Sequence, residues 1–180
     1  PEPLFNPTIN NKRELQENLK LLNAGRPPFD FQTNRDKVEA EGLLNENIYV
    51  KVNEWNVTRV LDMSKLFSIS QLLNFNQNMA LFNQNISFWN VDKVTDMSEM
   101  FKGTDFNQDI GGWNVHNVGN MSQMFQGATD FNQYIGAWNV EKVSDMSQMF
   151  MDAIVFNQNL SQWNIHNVAS ANNIFDNTGL

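Results

Sequence analysis

The sequence predicts an α/β solenoid of about five coils of 24–25 residues, each a short strand followed by a short helix or 3-10 turn, behind an N-terminal helical cap. Three observations predict it. Tryptophan recurs at positions 89, 113, 138 and 163, spaced by 24 or 25 residues, with Trp55 standing 34 residues upstream of Trp89. Each opens a near copy of one unit, WNVxxVxxMSxMFxGAxxFNQx. Within the unit, apolar residues first alternate and then fall at helical spacing. Self-similarity at such a period is the mark of a stack of similar coils.

The elements follow in chain order. Residues 1–52 form the cap, and residues 53–180 the repeats. The first nine residues, PEPLFNPTI, contain three prolines and read as extended. Over about 11–23, Leu15, Leu19 and Leu22 fall at i, i+4 and i+7 and share one face of a helix, which Gly25 ends. A helix this short is marginal in water unless it lies on something, and the open end of the stack is the available surface. Arg26 to Glu46 is polar, carries Pro27-Pro28 and reads as a long loop. Ile48, Val50 and Val52 alternate with Tyr49 and Lys51, a strand signal over about 48–52.

In one coil, Ile86, Trp89 and Val91 suit a short strand entered by a bend, with Trp89 and Val91 on one face and Asn90 on the other. Val94, Met97, Met100 and Phe101 then suit one or two helical or 3-10 turns. Seven residues after each tryptophan stands Asp62, Asp96, Asn120, Asp145 or Ser170, residue types that accept hydrogen bonds from first-turn N–H groups. Gly103 and Gly127 supply a left-handed exit, which Asp152 and Asn177 replace in later coils. FNQ, at Phe106, Phe131 and Phe156, returns the chain. One coil's apolar side chains do not offset the entropy of ordering its backbone, so coils must stack.

Stacking turns like positions into columns. Each tryptophan shares its face with a Val or Ile two residues on, which assigns the indoles to the core rather than to a solvent-facing carbohydrate platform. Met97, Met121 and Met146, with Met100, Met124 and Met149, read as core filler. Asn56, Asn90, Asn114, Asn139 and Asn164 form a column with two readings, an amide ladder from coil to coil or a polar face offered to a ligand. The adjoining column, Thr58, Asp92, His116, Glu141 and His166, varies. The Asn and Gln of FNQ are expected to satisfy backbone groups in the return. The segment between Phe67 and Ile86 is ten residues longer than its counterpart in the next coil and carries a second FNQN; Phe88 beside it is the one aromatic at its column.

Composition narrows function. A net charge of -8 with dispersed acidic residues disfavours nucleic acid and anionic membrane surfaces. The absence of cysteine excludes disulfides and thiolate metal sites. No apolar run approaches a membrane span, so no membrane insertion is expected. No phosphate loop, GxSxG, HExxH or nucleophile and base pair is visible, so neither an enzyme nor a cofactor is expected. His116 and His166 lie two coils apart, too far to share one metal ion.

Over Val52 to about Asn177, the recurring WNVxxVxxMSxMFxGAxxFNQxI closely resembles the repeat of the BspA-like leucine-rich-repeat surface proteins of bacteria. The resemblance implies a leucine-rich-repeat-type solenoid, exposure at the bacterial cell surface or secretion, and a role in adhesion or host interaction. It transfers no catalytic or ligand-contacting residue. The expected function is therefore a non-enzymatic adhesion or protein-interaction module. Its expected partner-binding face comprises Phe88, Asn90, Asp92, Asn114, His116, Asn139 and Glu141, and its expected partner is a protein. A carbohydrate-binding module with a glycan partner and a structural spacer are the alternatives. No export signal precedes PEPLF in the sequence.

Overall fold

A computed structural model of the chain describes residues 9–23, 56–68 and 83–180. The strand expected at 48–52, the loop at 26–46, Trp55 and most of the insertion lie outside the described residues.

Helix α1, Lys12–Asn23, is the one helix among the described residues. Its start is fixed by a reciprocal exchange: Asn11 Oδ1 accepts the Glu14 N–H at 3.0 Å, and the Glu14 carboxylate accepts the Asn10 N–H at 2.9 Å. Leu15 and Leu19 are buried, as their spacing requires for one apolar face. The same side of the helix, and the residue before its start, are tied to the leading coil. Lys12 Nζ donates to Asp62 Oδ1 at 3.0 Å and to Ser64 Oγ at 2.6 Å, and the Ile9 N–H donates to Asn56 O at 2.8 Å.

The repeats are not built from the expected strand and helix. Among the described residues after α1 there is neither a helix nor a multi-residue strand. Pairing between coils reduces to isolated parallel bridges, Asp62 with Asp96, Asp96 with Asn120, Asn120 with Asp145 and Asp145 with Ser170. The α/β, leucine-rich-repeat-type solenoid of strand-plus-helix coils is thereby overturned.

The reason lies in the backbone of MSxMF. A helix needs consecutive residues near φ -63°, yet the residue at the third position of this segment, after the serine or, in the last coil, after Asn172, is left-handed. Its φ is 57° at Lys65, 55° at Glu99, 57° at Gln123, 56° at Gln148 and 57° at Asn173. The chain therefore makes overlapping turns. Met100 N–H donates to Met97 O, Lys102 to Glu99 O and Thr104 to Phe101 O, each at 3.2 Å. These bonds use every second peptide unit. The units between them point along the stack, so Met97 donates to Asn120 O at 3.0 Å, Glu99 to Ser122 O at 2.9 Å, Phe101 to Met124 O at 2.9 Å and Gly103 to Gln126 O at 2.8 Å. The same four bonds recur from Met121, Gln123, Phe125 and Gly127 to the following coil, and from Met146, Gln148, Phe150 and Asp152 to the last. One hydrogen-bond chain runs around each coil and another runs along the stack, which leaves few backbone groups of this segment unpaired.

Gly103 and Gly127, at φ 69° and 66°, close the segment, and Asp152 and Asn177 adopt the same conformation at 61° and 56°. Asp62, Asp96, Asn120 and Asp145 do accept an N–H two residues on, at 2.7–3.0 Å. The N–H belongs to Ser64, Ser98, Ser122 or Ser147, so what is capped is a turn rather than a helix.

Side chains fill the stack in columns. Phe101, Phe125, Phe150 and Phe175 lie ring on ring at 5.6–5.8 Å, nearly parallel, and Phe106, Phe131 and Phe156 pack against them at 3.9–4.1 Å. Six methionines, Met97, Met100, Met121, Met124, Met146 and Met149, are fully buried with them. Trp89, Trp113 and Trp138 are 3–4% exposed. Each indole N–H meets a carbonyl of the preceding coil: Trp113 donates to Ile86 O at 3.2 Å, Trp138 to Ile110 O and Trp163 to Ile135 O, both at 3.1 Å. No helix among the described residues is long and apolar enough to cross a membrane.

Candidate interaction surface

Trp89, Trp113 and Trp138 are buried, as expected of core residues, while Trp163 is partly covered. What the stack offers to solvent is the corner around WNV. Phe88 is 79% exposed there, and Asn90, Asn114, Asn139 and Glu141 are exposed, while Asp92 and His116 are partly covered.

This corner has a constant backbone. Trp89, Trp113 and Trp138 donate to Ile86 O, Ile110 O and Ile135 O at 3.0–3.1 Å, and Val94, Val118 and Val143 donate to Val91 O, Val115 O and Val140 O at 2.9 Å. The asparagine after each tryptophan acts inside its own coil. Asn90 Oδ1 accepts the Asp92 N–H at 3.0 Å, Asn139 Oδ1 the Glu141 N–H at 3.1 Å and Asn164 Oδ1 the His166 N–H at 3.3 Å. In the third coil, Asn114 Oδ1 lies 3.0 Å from His116 Nδ1. The column is thus a set of turn caps, and not the ladder from coil to coil that was one of its two readings. Its amide oxygens are engaged, and in the adjoining column Glu141 is exposed while Asp92 and His116 are partly covered, His116 through its contact with Asn114.

Coils are stitched by residues that the sequence reading did not single out. Asn117 Nδ2 donates to Asp92 O at 2.7 Å, Asn167 Nδ2 to Glu141 O at 2.8 Å, and Lys142 Nζ to Asn117 Oδ1 at 2.7 Å. The signal was available as a polar column four after the tryptophan, Lys93, Asn117, Lys142 and Asn167, of which the last three reach a neighbouring coil. Tyr134, 49% exposed, is a second exposed aromatic. Its ring lies over Gly136, where an added Cβ would stand 2.7 Å from Tyr134 Cε2 and 2.3 Å from Asn159 O, so that turn admits glycine by closeness rather than by φ.

The ladder of amides exists, but at FNQ. Asn83 Oδ1 accepts the Asn107 N–H at 2.9 Å and Gln108 Nε2 at 3.0 Å. Asn107 Oδ1 accepts the Asn132 N–H at 3.0 Å and Gln133 Nε2 at 2.9 Å, and Asn132 Oδ1 accepts the Asn157 N–H and Gln158 Nε2, both at 2.9 Å. These side chains hold the return together across coils.

Electrostatics at the surface are mild. Lys65 and Lys102 both reach Glu99, at 3.2 and 3.6 Å. Asp62, half exposed at the cap, is the group among the described residues whose pKa is displaced. Burial pushes it up, but hydrogen bonds from the Ser64 side chain and backbone and from Lys12 outweigh that, with the Lys12 charge adding to them, and hold the carboxyl below its usual range. Among the described residues no three His, Asp or Glu side chains converge as metal ligands.

No curated protein and no solved structure matches the chain. Residues 39–126 and 70–179 match the family described as "Mycoplasma protein of unknown function, DUF285". Those two overlapping spans run from within the segment before the first tryptophan to the end of the last coil and cover most of the sequence, so the chain belongs to DUF285.

Proposed function

We propose that this chain is a non-catalytic interaction module of a protein displayed at, or secreted from, the bacterial cell surface, and that it takes part in adhesion by binding a protein partner. The corner bearing Phe88, Asn90, Asp92, Asn114, His116, Asn139 and Glu141 is the binding face. One observation carries the reading: the backbone of this corner repeats from coil to coil, while the side chains that it projects do not. Asp92, His116 and Glu141 occupy equivalent places, and an almost fully exposed Phe88 stands at the edge of the same surface. A rigid frame that presents a varied row of side chains suits recognition, in which a few aromatic and charged groups dominate affinity. Membership of DUF285 and the resemblance of the repeat to BspA-like surface proteins support placing that recognition outside the cell.

The test is adhesion of cells or beads that display the chain, compared with a Phe88→Ser, Asp92→Ala, Glu141→Ala variant. None of the three side chains packs in the core, so the variant should keep its thermal transition while adhesion falls about tenfold or more. Unchanged adhesion by a folded variant overturns the binding face and favours a structural spacer.

A further inference from the structure

Eight of the nine methionines stand among the described residues, and seven of them share one environment. Met63, Met97, Met100, Met121, Met124, Met146 and Met149 are at most 1% exposed, in columns that hold apolar side chains in every coil. Met151 stands apart. It occupies the column Ser68, Lys102, Gln126, Met151 and Asp176, where it is the one apolar residue, and it is only partly covered. Coils lie on both sides of it: Gly127 N–H donates to Met151 O and Asp152 N–H to Asp176 O, both at 2.8 Å. Its exposure is therefore lateral and does not depend on either end of the stack.

The Met151 sulfur has a partner in the preceding coil. Gln126 Nε2 donates to Met151 Sδ at 3.4 Å. A thioether is a weak acceptor, and the other end of the same amide fares worse, since Gln126 Oε1 is buried and accepts no hydrogen bond among the described residues. Lys102, one coil further back in the column, is engaged by Glu99 and by Gln123 Oε1. Buried amides are normally satisfied. Here an N–H is held against sulfur instead, where a stronger acceptor would serve it better.

We infer that Met151 is a modification site, at which a peroxide oxidises the thioether to the sulfoxide and the Gln126 amide then holds the new oxygen. A sulfur lone pair attacks one peroxide oxygen, and the O–O bond breaks as the S–O bond forms. The departing hydroxide takes the proton from the transferred oxygen and leaves as water. Sulfur gives up two electrons and the peroxide takes them. Rotation about the Met151 Cγ–Sδ bond brings the oxygen to the Gln126 N–H, a strong acceptor replacing a weak one. At any of the seven packed methionines the same oxygen would be a buried polar atom with no donor waiting for it, which is costly. The chain thus takes up one oxidising equivalent where a donor already stands, and the thioethers that fill its core stay shielded.

Hydrogen peroxide added to the full chain tests this, with fragmentation of its peptides reading each methionine separately. In the folded chain Met151 should gain oxygen about tenfold or more faster than any of the other seven, and in urea all eight should react alike. Met79 lies outside the described residues and does not enter that comparison. Oxidation should leave the urea midpoint of the unaltered chain in place or raise it, and should lower that of Gln126→Leu, which offers the oxygen no donor. Met79 is present in both chains, so its own oxidation cancels between them. Oxygen that appears first at a packed methionine, or midpoint shifts that are equal in the two chains, overturns the inference. Should Gln126→Leu fail to fold, the order of reaction among the eight methionines of the unaltered chain still decides.

Discussion

Asn107, Asn132 and Asn157 occupy the same place in three successive FNQ returns, yet replacing them with alanine should have different costs. Asn107 Oδ1 accepts two hydrogen bonds from the next coil, from the Asn132 N–H and from Gln133 Nε2, and Asn132 Oδ1 accepts the equivalent pair from Asn157 and Gln158. Asn157 Oδ1, at the last return, accepts nothing among the described residues. A typical intramolecular hydrogen bond contributes about 0.5–1.5 kcal/mol net, so Asn107→Ala and Asn132→Ala should each lose about 1–3 kcal/mol and Asn157→Ala close to none. The side-chain nitrogen of Asn107 donates no bond among the described residues. Asn107→Asp keeps both acceptor positions and should therefore stay within about 1 kcal/mol of the unaltered chain near neutral pH. Urea unfolding followed by tryptophan fluorescence measures all four, the midpoint moving while the slope does not. Equal losses at Asn132 and Asn157 would refute the reasoning, since the asparagine would then act within its own coil.

Phe125 lies 5.6 Å from both Phe101 and Phe150 and 3.9 Å from Phe131, so Phe125→Ala should cost about 3–5 kcal/mol in a thermal melt, whereas Phe175→Ala, at the exposed end, should cost far less. Gln123 holds φ at 57°; Gln123→Gly should be nearly neutral or slightly stabilising and Gln123→Val should lose about 1–2 kcal/mol, read from the same unfolding curves. The depressed pKa of Asp62 makes its contribution present above the ordinary carboxylate range and lost as pH falls through the lower folded value. Asp62→Asn should therefore flatten the acid side of the stability profile and leave the side above pH ~7 unsloped by this group.

The period and the core were legible in the sequence because they are set by side-chain type. The interval between tryptophans reappears as hydrogen bonds that join residues 24–28 positions apart, and the Trp, Val, Met and Phe columns are the buried ones. The conformation of MSxMF was not legible. Apolar residues spaced by three, three and one fit a helical turn, and they equally fit a run of turns that faces one side inward. What decides between them is a left-handed residue, here Lys65, Glu99, Gln123 or Gln148. Those residue types carry no preference for that region, so nothing in the letters marks it. Gly103 and Gly127 do mark it, and there the expected left-handed exit is found. The two asparagine columns show the same limit. An amide caps its own turn after Trp89 and bonds the neighbouring coil after Phe106, and only the direction of the backbone beneath it separates the two.

Because every coil joins the next by one rule, the stack tolerates gain or loss of whole units better than smaller edits. Excising residues 114–138 would put Asn139 after Trp113 and bring the second and fourth coils into the contact that each already makes with the third. Excising half that length would set a glycine exit against an indole and interrupt every column at once. Recombination between its own near-identical segments could thus lengthen or shorten this protein, and vary the row of side chains at its corner, without disturbing either end.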